Sequence, residues 1–172
     1  MSKNWHFVSQ KKIPILNYIL PPVTILLAQI FELLPGKIFS GMMPLLGVCV
    51  VFYWSLYRPQ FIPLWQTFFL GLLADVFLSS VLGLHALIYM FARQIGKGQR
   101  RYLSMRNFKI LWGTFSVMIA GIVLIESFYM TTTGYAHDPL ILIKVAQTCF
   151  AFPLVYYFLA RVHKFLIYEG WL

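Results

Sequence analysis

The chain is 172 residues long, and 60% of it is hydrophobic, 18% aromatic and only 11% charged. With a mean hydropathy of +0.75 it lacks the polar surface needed to cover a soluble globule, which excludes soluble enzymes and points to a polytopic membrane protein. The net charge of +9 then reports orientation and not nucleic-acid binding, because loop lysines and arginines set membrane topology.

Taken in order, the chain opens with a polar tail, residues 1–12, carrying Lys3, Lys11 and Lys12. A first span is expected over residues 13–34, kinked by Pro21-Pro22, which remove two backbone donors. It lacks a small-residue cleavage site and reads as an uncleaved span, not a signal peptide. After the Pro35-Gly36 turn, a second span covers residues 38–57, with Pro44 and Gly47 suggesting kinked packing. From Phe61 to Ala92 the only Asp, Glu, Lys or Arg is Asp75. That run exceeds the roughly 20 apolar residues of one crossing, so it folds back on itself at Ser79-Ser80 and Gly83, giving spans at 61–78 and 81–95. The fourth is short, so its ends must tuck into protein or headgroups. A basic loop follows, then a fifth span over 108–130 and a sixth over 140–160, with an interfacial continuation to Tyr168 and Trp171. The expected organisation is a single six-helix, all-α membrane domain over 13–168, with a tail at 169–172.

Six spans put both termini on one side. With the N-terminus in the cytoplasm, only Lys37 and Lys144 of the 14 basic residues fall outside, which selects an N-in, C-in topology. Glu32, Asp75, Glu126 and Asp138 fall in the outer half or outer loops. The loop from Arg93 to Lys109 holds Arg93, Lys97, Arg100, Arg101, Arg106 and Lys109, interleaved with Tyr102, Leu103, Met105 and Phe108. That pattern suits contact with an anionic inner leaflet, each cation contributing roughly 1 kcal/mol, although positive-inside topology alone also accounts for it. Trp5, Trp54, Trp65 and Trp112 near the inner ends read as interfacial belt residues.

Asp75 is the candidate site residue with the clearest physical case. It lies about 21 Å into its span at 1.5 Å per residue, too deep for a short carboxylate to reach the headgroups, and so needs an interior partner or an N–H cap. His85, Glu126 and Lys144 also fall in the outer half, and a polar cluster of Asp75, His85, Glu126 and Lys144 is the expectation; the plainer reading takes the last three to the outer headgroups. No reaction is indicated. Ser79 or Ser80 with His85 lacks a nucleophile-elbow context, no second aspartate lies deep in the membrane, and His6, His85, His137 and His163 are scattered. No metal or other cofactor is expected, and Cys49 and Cys149 read as small hydrophobes. Small residues at Thr67 and Gly71, and at Gly113, Ser116 and Ala120, permit close helix approach, within the bundle or with a partner's helix.

The order Tyr57-Arg58-Pro59, Pro63, Trp65, Gly71-Leu72-Leu73-Ala74-Asp75 and Leu82-Gly83-Leu84-His85-Ala86-Leu87 resembles the rod shape-determining protein MreD family, as do the basic loop and Phe152-Pro153 leading to Arg161. Val81 stands where many members carry a turn former. Arg58, Pro59, Gly71, Asp75, Leu82, Gly83 and Ala86 are thereby family-motif positions, patterns of packing and not of catalysis. The resemblance implies a non-enzymatic subunit of the bacterial inner membrane in the elongation complex that sustains lateral peptidoglycan synthesis. Its implied partners are MreC, RodA and its transpeptidase, and, indirectly, MreB filaments. It also implies a fold similar to the substrate-binding component of energy-coupling-factor vitamin transporters. A transporter component of that kind is the alternative function, but Ala28 followed by Glu32 departs from the Ala-x-x-x-Ala pair of those components.

Overall fold

The computed structural model describes residues 16–33, 44–78, 82–103, 108–133 and 141–168. Over these the chain forms α1 (Leu16–Leu33), α2 (Leu46–Tyr57), a 3-10 turn (Pro59–Phe61), α3 (Leu64–Phe77), α4 (Leu84–Leu103), α5 (Phe108–Thr133) and α6 (Ile141–Tyr168). Each of the six expected apolar runs contains one helix, and no strand occurs among the described residues. The terminal tails, the Pro35-Gly36 and Ser79-Ser80 turns, Val81 and Arg106 lie outside the described residues.

The helix ends follow from local chemistry. Pro59 pushes Arg58 out of helical geometry (φ −141°, ψ 61°) and so ends α2. It then opens the 3-10 turn, where its missing N–H costs nothing. Pro63 caps α3, its carbonyl accepting from both the backbone N–H and the hydroxyl of Thr67. α1 runs continuously through Pro21 and Pro22, and the Thr24 hydroxyl donates to the Pro21 carbonyl at 2.8 Å.

α2 is the axis of the fold. Every residue from Gly47 to Leu56 is buried, as expected for a helix that is apolar all round. It packs on α1, α4 and α6, while α3 lies mainly on α4 and α5 on α6. Phe52, Phe115 and Phe152 bring α2, α5 and α6 together, Phe115 and Phe152 stacking at 4.1 Å.

Polarity runs inside out. α1 buries Ile25, Gln29 and Glu32 while exposing Val23, Leu27, Ile30 and Phe31. α3 buries Thr67, Gly71, Ala74 and Asp75 and exposes Trp65, Phe68, Phe69 and Val76. Water would reverse this arrangement, whereas lipid tails favour it. α5 and α6 are each long and apolar enough to cross a bilayer; α1, α2 and α3 are shorter apolar helices. At 1.5 Å per residue the 14 residues of α3 rise about 21 Å, less than the roughly 30 Å hydrocarbon core.

Three expectations are corrected. The fourth helix does not stop near residue 95: α4 continues to Leu103, so most of the expected basic loop is helix. Arg93 is not an inner-leaflet contact. It is 8% exposed, and its Nε–H donates to the Ile62 carbonyl at 2.7 Å, satisfying backbone left unpaired where the 3-10 turn meets α3. Trp54 is not a belt residue but is buried, its indole N–H donating to Thr24 Oγ1 at 2.9 Å. Trp65 and Trp112 are exposed.

Candidate functional site

A helix beginning inside a bilayer presents free N–H groups that no water can satisfy, so each must find an acceptor in the protein. Two carboxylates do this here, each from the helix preceding the one it caps. Asp75, in the last turn of α3, accepts from the backbone N–H of Gly83 at 2.8 Å and of His85 at 2.8 Å, at the start of α4. Its Oδ1 also meets His85 Nδ1 at 2.9 Å. Asp75 is 2% exposed and His85 6%. Negative charge at a helix N-terminus is favoured by the helix dipole as well as by these bonds.

Glu32, near the end of α1, serves α2 in the same way. It is 5% exposed and accepts from the Gly47 N–H at 2.7 Å. Thr148 of α6 completes the cap, accepting from the Leu45 N–H at 3.1 Å while its own hydroxyl donates to the Lys144 carbonyl. One turn back from Glu32, fully buried Gln29 donates through Nε2 to the Leu70 carbonyl at 2.9 Å and toward Tyr89 Oη at 3.4 Å, tying α1 to α3 and α4.

The segment joining α3 to α4 explains the motif chemistry. Gly83 has φ +94°, a conformation that suits glycine, and it aims its N–H at Asp75. His85 supplies a second backbone N–H and the imidazole. At Gly71 a Cβ would overlap Ala86 Cα and sit 2.8 Å from the Ala86 nitrogen, so glycine lets α3 and α4 cross backbone to backbone. Leu82 is 74% exposed.

The structure brings Asp75 and His85 together. Lys144 lies instead within electrostatic reach of Glu32, and the side chains of Glu126, Arg100 and Arg101 lie outside the described residues. Lys97 and Lys109 are exposed, on α4 and at the start of α5. His85 is buried and offers no surface to a partner, whereas Leu82 beside it does. Glu32, Gln29 and Tyr89 were not picked out as members of the polar core. The spacing Ile25, Gln29, Glu32 was the available signal, since it puts both polar residues on one face of an otherwise apolar helix. Among the described residues no group of three or more His, Cys, Asp or Glu side chains could hold a metal ion. The arrangement is one of carboxylates whose oxygens are engaged by backbone donors, chemistry suited to fixing helices.

Comparison with known proteins agrees with the motif reading. The chain is 32% identical over 94 residues to the rod shape-determining protein MreD of Haemophilus influenzae, a match covering 54% of this chain and 57% of that protein. No solved structure matches it. The family model for rod shape-determining protein MreD matches residues 10–162. The chain spans little more than half the length of that relative, and by the family model it belongs to the rod shape-determining protein MreD family, whose members are membrane-associated.

Proposed function

We propose that the protein is a non-enzymatic scaffold of the bacterial inner membrane: one domain over residues 13–168 that crosses the bilayer six times with both termini in the cytoplasm. It binds MreC and, through MreC or directly, RodA and its transpeptidase. Its link to MreB filaments is indirect, and it supports lateral wall synthesis without catalysing it. The observation that supports this best is how the buried carboxylates are used. Asp75 and Glu32, the two buried acids among the described residues, accept hydrogen bonds from the starts of α4 and α2.

A single-span partner needs a lipid-facing surface that admits another backbone. On α5 a Cβ added at Gly113 or Gly121 meets nothing within 4 Å, and Val117 and Leu124 between and beyond them are exposed. With Ala120, this is the face assigned to the membrane helix of MreC. For the anionic lipid of the inner leaflet the proposal relies on exposed Lys97 and Lys109, with Arg100, Arg101 and Arg106 as the other cations of that stretch of sequence.

The test is purification of tagged protein from native membranes in mild detergent, with mass spectrometry of what accompanies it. MreC and RodA are expected. Recovery of an ATPase module in their place would overturn the scaffold reading in favour of a transporter component.

A further inference from the structure

The helices differ in apolar height. The apolar stretches of α5 and α6, Phe108–Ile125 and Leu142–His163, hold 18 and 22 residues. At 1.5 Å per residue they rise about 27 Å and about 33 Å, which brackets the roughly 30 Å hydrocarbon core. α3, which packs on α4 and α1, rises only about 21 Å over its 14 residues. A separate count along α4 agrees. Its first exposed polar side chain is Gln94, with exposed Lys97 one turn on. From Leu84 to Gln94 the helix rises about 15 Å, and Leu82 and Gly83, drawn out fully, would bring the total to about 22 Å. Arg93 Nε, bonded to the Ile62 carbonyl at 2.7 Å, ties the end of this apolar stretch to the start of α3. Tilting the hairpin would only lower its height along the membrane normal.

The short ends are not tucked under other parts of the described chain. Trp65 and Val76, close to the two ends of α3, are 64% and 63% exposed, as open as Phe69 between them at 60%. With Leu73 they lie along one side of the helix, and all four are bulky and apolar. Thr67, Gly71 and Ala74, the small residues of α3 that would admit another helix, are buried inside the bundle. This face therefore has the chemistry of a lipid contact, whereas the glycines of α5 leave room for a partner's backbone.

We propose that the α3–α4 face thins the bilayer beside it, so that its partner is a band of lipid whose hydrocarbon is about 21 Å deep in place of about 30 Å. A bilayer that kept its full depth here would draw the Gln94 amide and the Lys97 ammonium into hydrocarbon, and local thinning avoids that cost. α5 and α6 hold the full depth on their own flank, so the hydrocarbon boundary slopes around the protein. This flank is thereby sensitive to the chain length of the surrounding lipid. The inference rests on the reading of the chain as membrane-embedded, though not on any partner protein or on which terminus faces the cytoplasm.

The test uses the full chain in dioleoylphosphatidylcholine vesicles at high lipid-to-protein ratio, with nitroxide depth measurements at single sites. Trp65→Cys and Val76→Cys report on α3, and Ile143→Cys and Leu154→Cys, also at exposed positions, report on α6. Cys149→Ala removes the half-buried native thiol, and Cys49 is buried. The two sites of each pair lie three turns apart on one side of a helix, about 16.5 Å along its axis. Their two depths therefore add to the local hydrocarbon depth less that separation, wherever the helix sits along the normal. The expected sums are about 4–5 Å on α3 and about 13–14 Å on α6. Equal sums would overturn the thinning. Spin–spin broadening at the α3 sites would put a second copy against this face and overturn the lipid assignment. The unaltered protein decides even if a labelled variant fails to fold: its melting temperature should be higher in dimyristoleoylphosphatidylcholine than in the longer-chained dierucoylphosphatidylcholine, and an equal or reversed order would overturn the proposal. Free access of water to all four labels would remove the membrane reading itself, whereas equal, deep sums would remove only the thinning.

Discussion

Replacing Asp75 tests the physical account of the fold most directly. Asp75→Ala strips an acceptor from two backbone N–H groups and from the imidazole at once, all in surroundings where water cannot substitute. Losing an N-cap alone costs about 0.5–2 kcal/mol, and leaving one member of a buried pair without its partner costs about 3–5 kcal/mol. The two overlap here, so the loss should fall near the upper range, about 3–5 kcal/mol. Asp75→Asn keeps the shape and one acceptor oxygen but turns an NH2 toward an N–H. A lost hydrogen bond to a charged group sets its cost at about 1.5–3 kcal/mol. His85→Ala removes the imidazole yet leaves both backbone bonds, so it should cost least. At about 2–4 °C per kcal/mol for a chain of this size, Asp75→Ala should lower the melting temperature of the detergent-extracted protein by roughly 6–20 °C. The expected order is Asp75→Ala, then Asp75→Asn, then His85→Ala. If His85→Ala proved as damaging as Asp75→Ala, the backbone cap would not be what holds the start of α4, and the reasoning would fail.

Gly71→Ala should destabilise by about 1–3 kcal/mol through overpacking, and Ala86→Gly should not rescue it, because the atoms it meets are backbone of Ala86 and His85. Gly113→Ala, with nothing within 4 Å, should leave the melting temperature unchanged; a matching loss there would show that glycine content and not close crossing is being measured. Arg93→Met strands the Ile62 carbonyl and should cost about 1–3 kcal/mol, read as a lower melting temperature. Lys97→Gln, an exposed cation one helical turn on, should be neutral; equal effects would return Arg93 to the role of a surface cation.

Six helices were legible because all but the fourth apolar run were long, and Ser79-Ser80 with Gly83 divided a run too long for one crossing. Asp75 was legible because its depth and its short side chain leave no route to the headgroups. The extension of α4 was not legible. Between Arg93 and Leu103 the residues are charged and polar and include Gly96 and Gly98, which reads as loop. Yet that stretch lacks proline, and Arg, Gln and Lys are good helix formers, so nothing in it ends the helix. Glu32 was placed no more closely than the outer half of the chain, and its burial was not legible. What buries it is the unsatisfied start of α2, a demand created by a different segment. Trp54 misled for a similar reason: tryptophan near a helix end is ordinarily interfacial, but here the helix is enclosed on all sides and the indole finds Thr24.

Within lipid, apolar side chains gain little by touching one another in place of acyl chains, so close packing and hydrogen bonds must select one helix arrangement over others. This chain makes that selection with donors and acceptors that match in one register. Asp75 reaches two N–H groups at the start of α4 because Gly83 takes a positive φ and Gly71 lets the helices close to contact. Glu32 does the same for α2, and Gln29 links one hairpin to the other. Sliding α4 by a single residue against α3 would break the Asp75 bonds and drive a side chain into Gly71 together. Such a bundle has few alternative packings, because each slip breaks a hydrogen bond and a close helix crossing at once. The scaffold role proposed above would draw on that fixed arrangement.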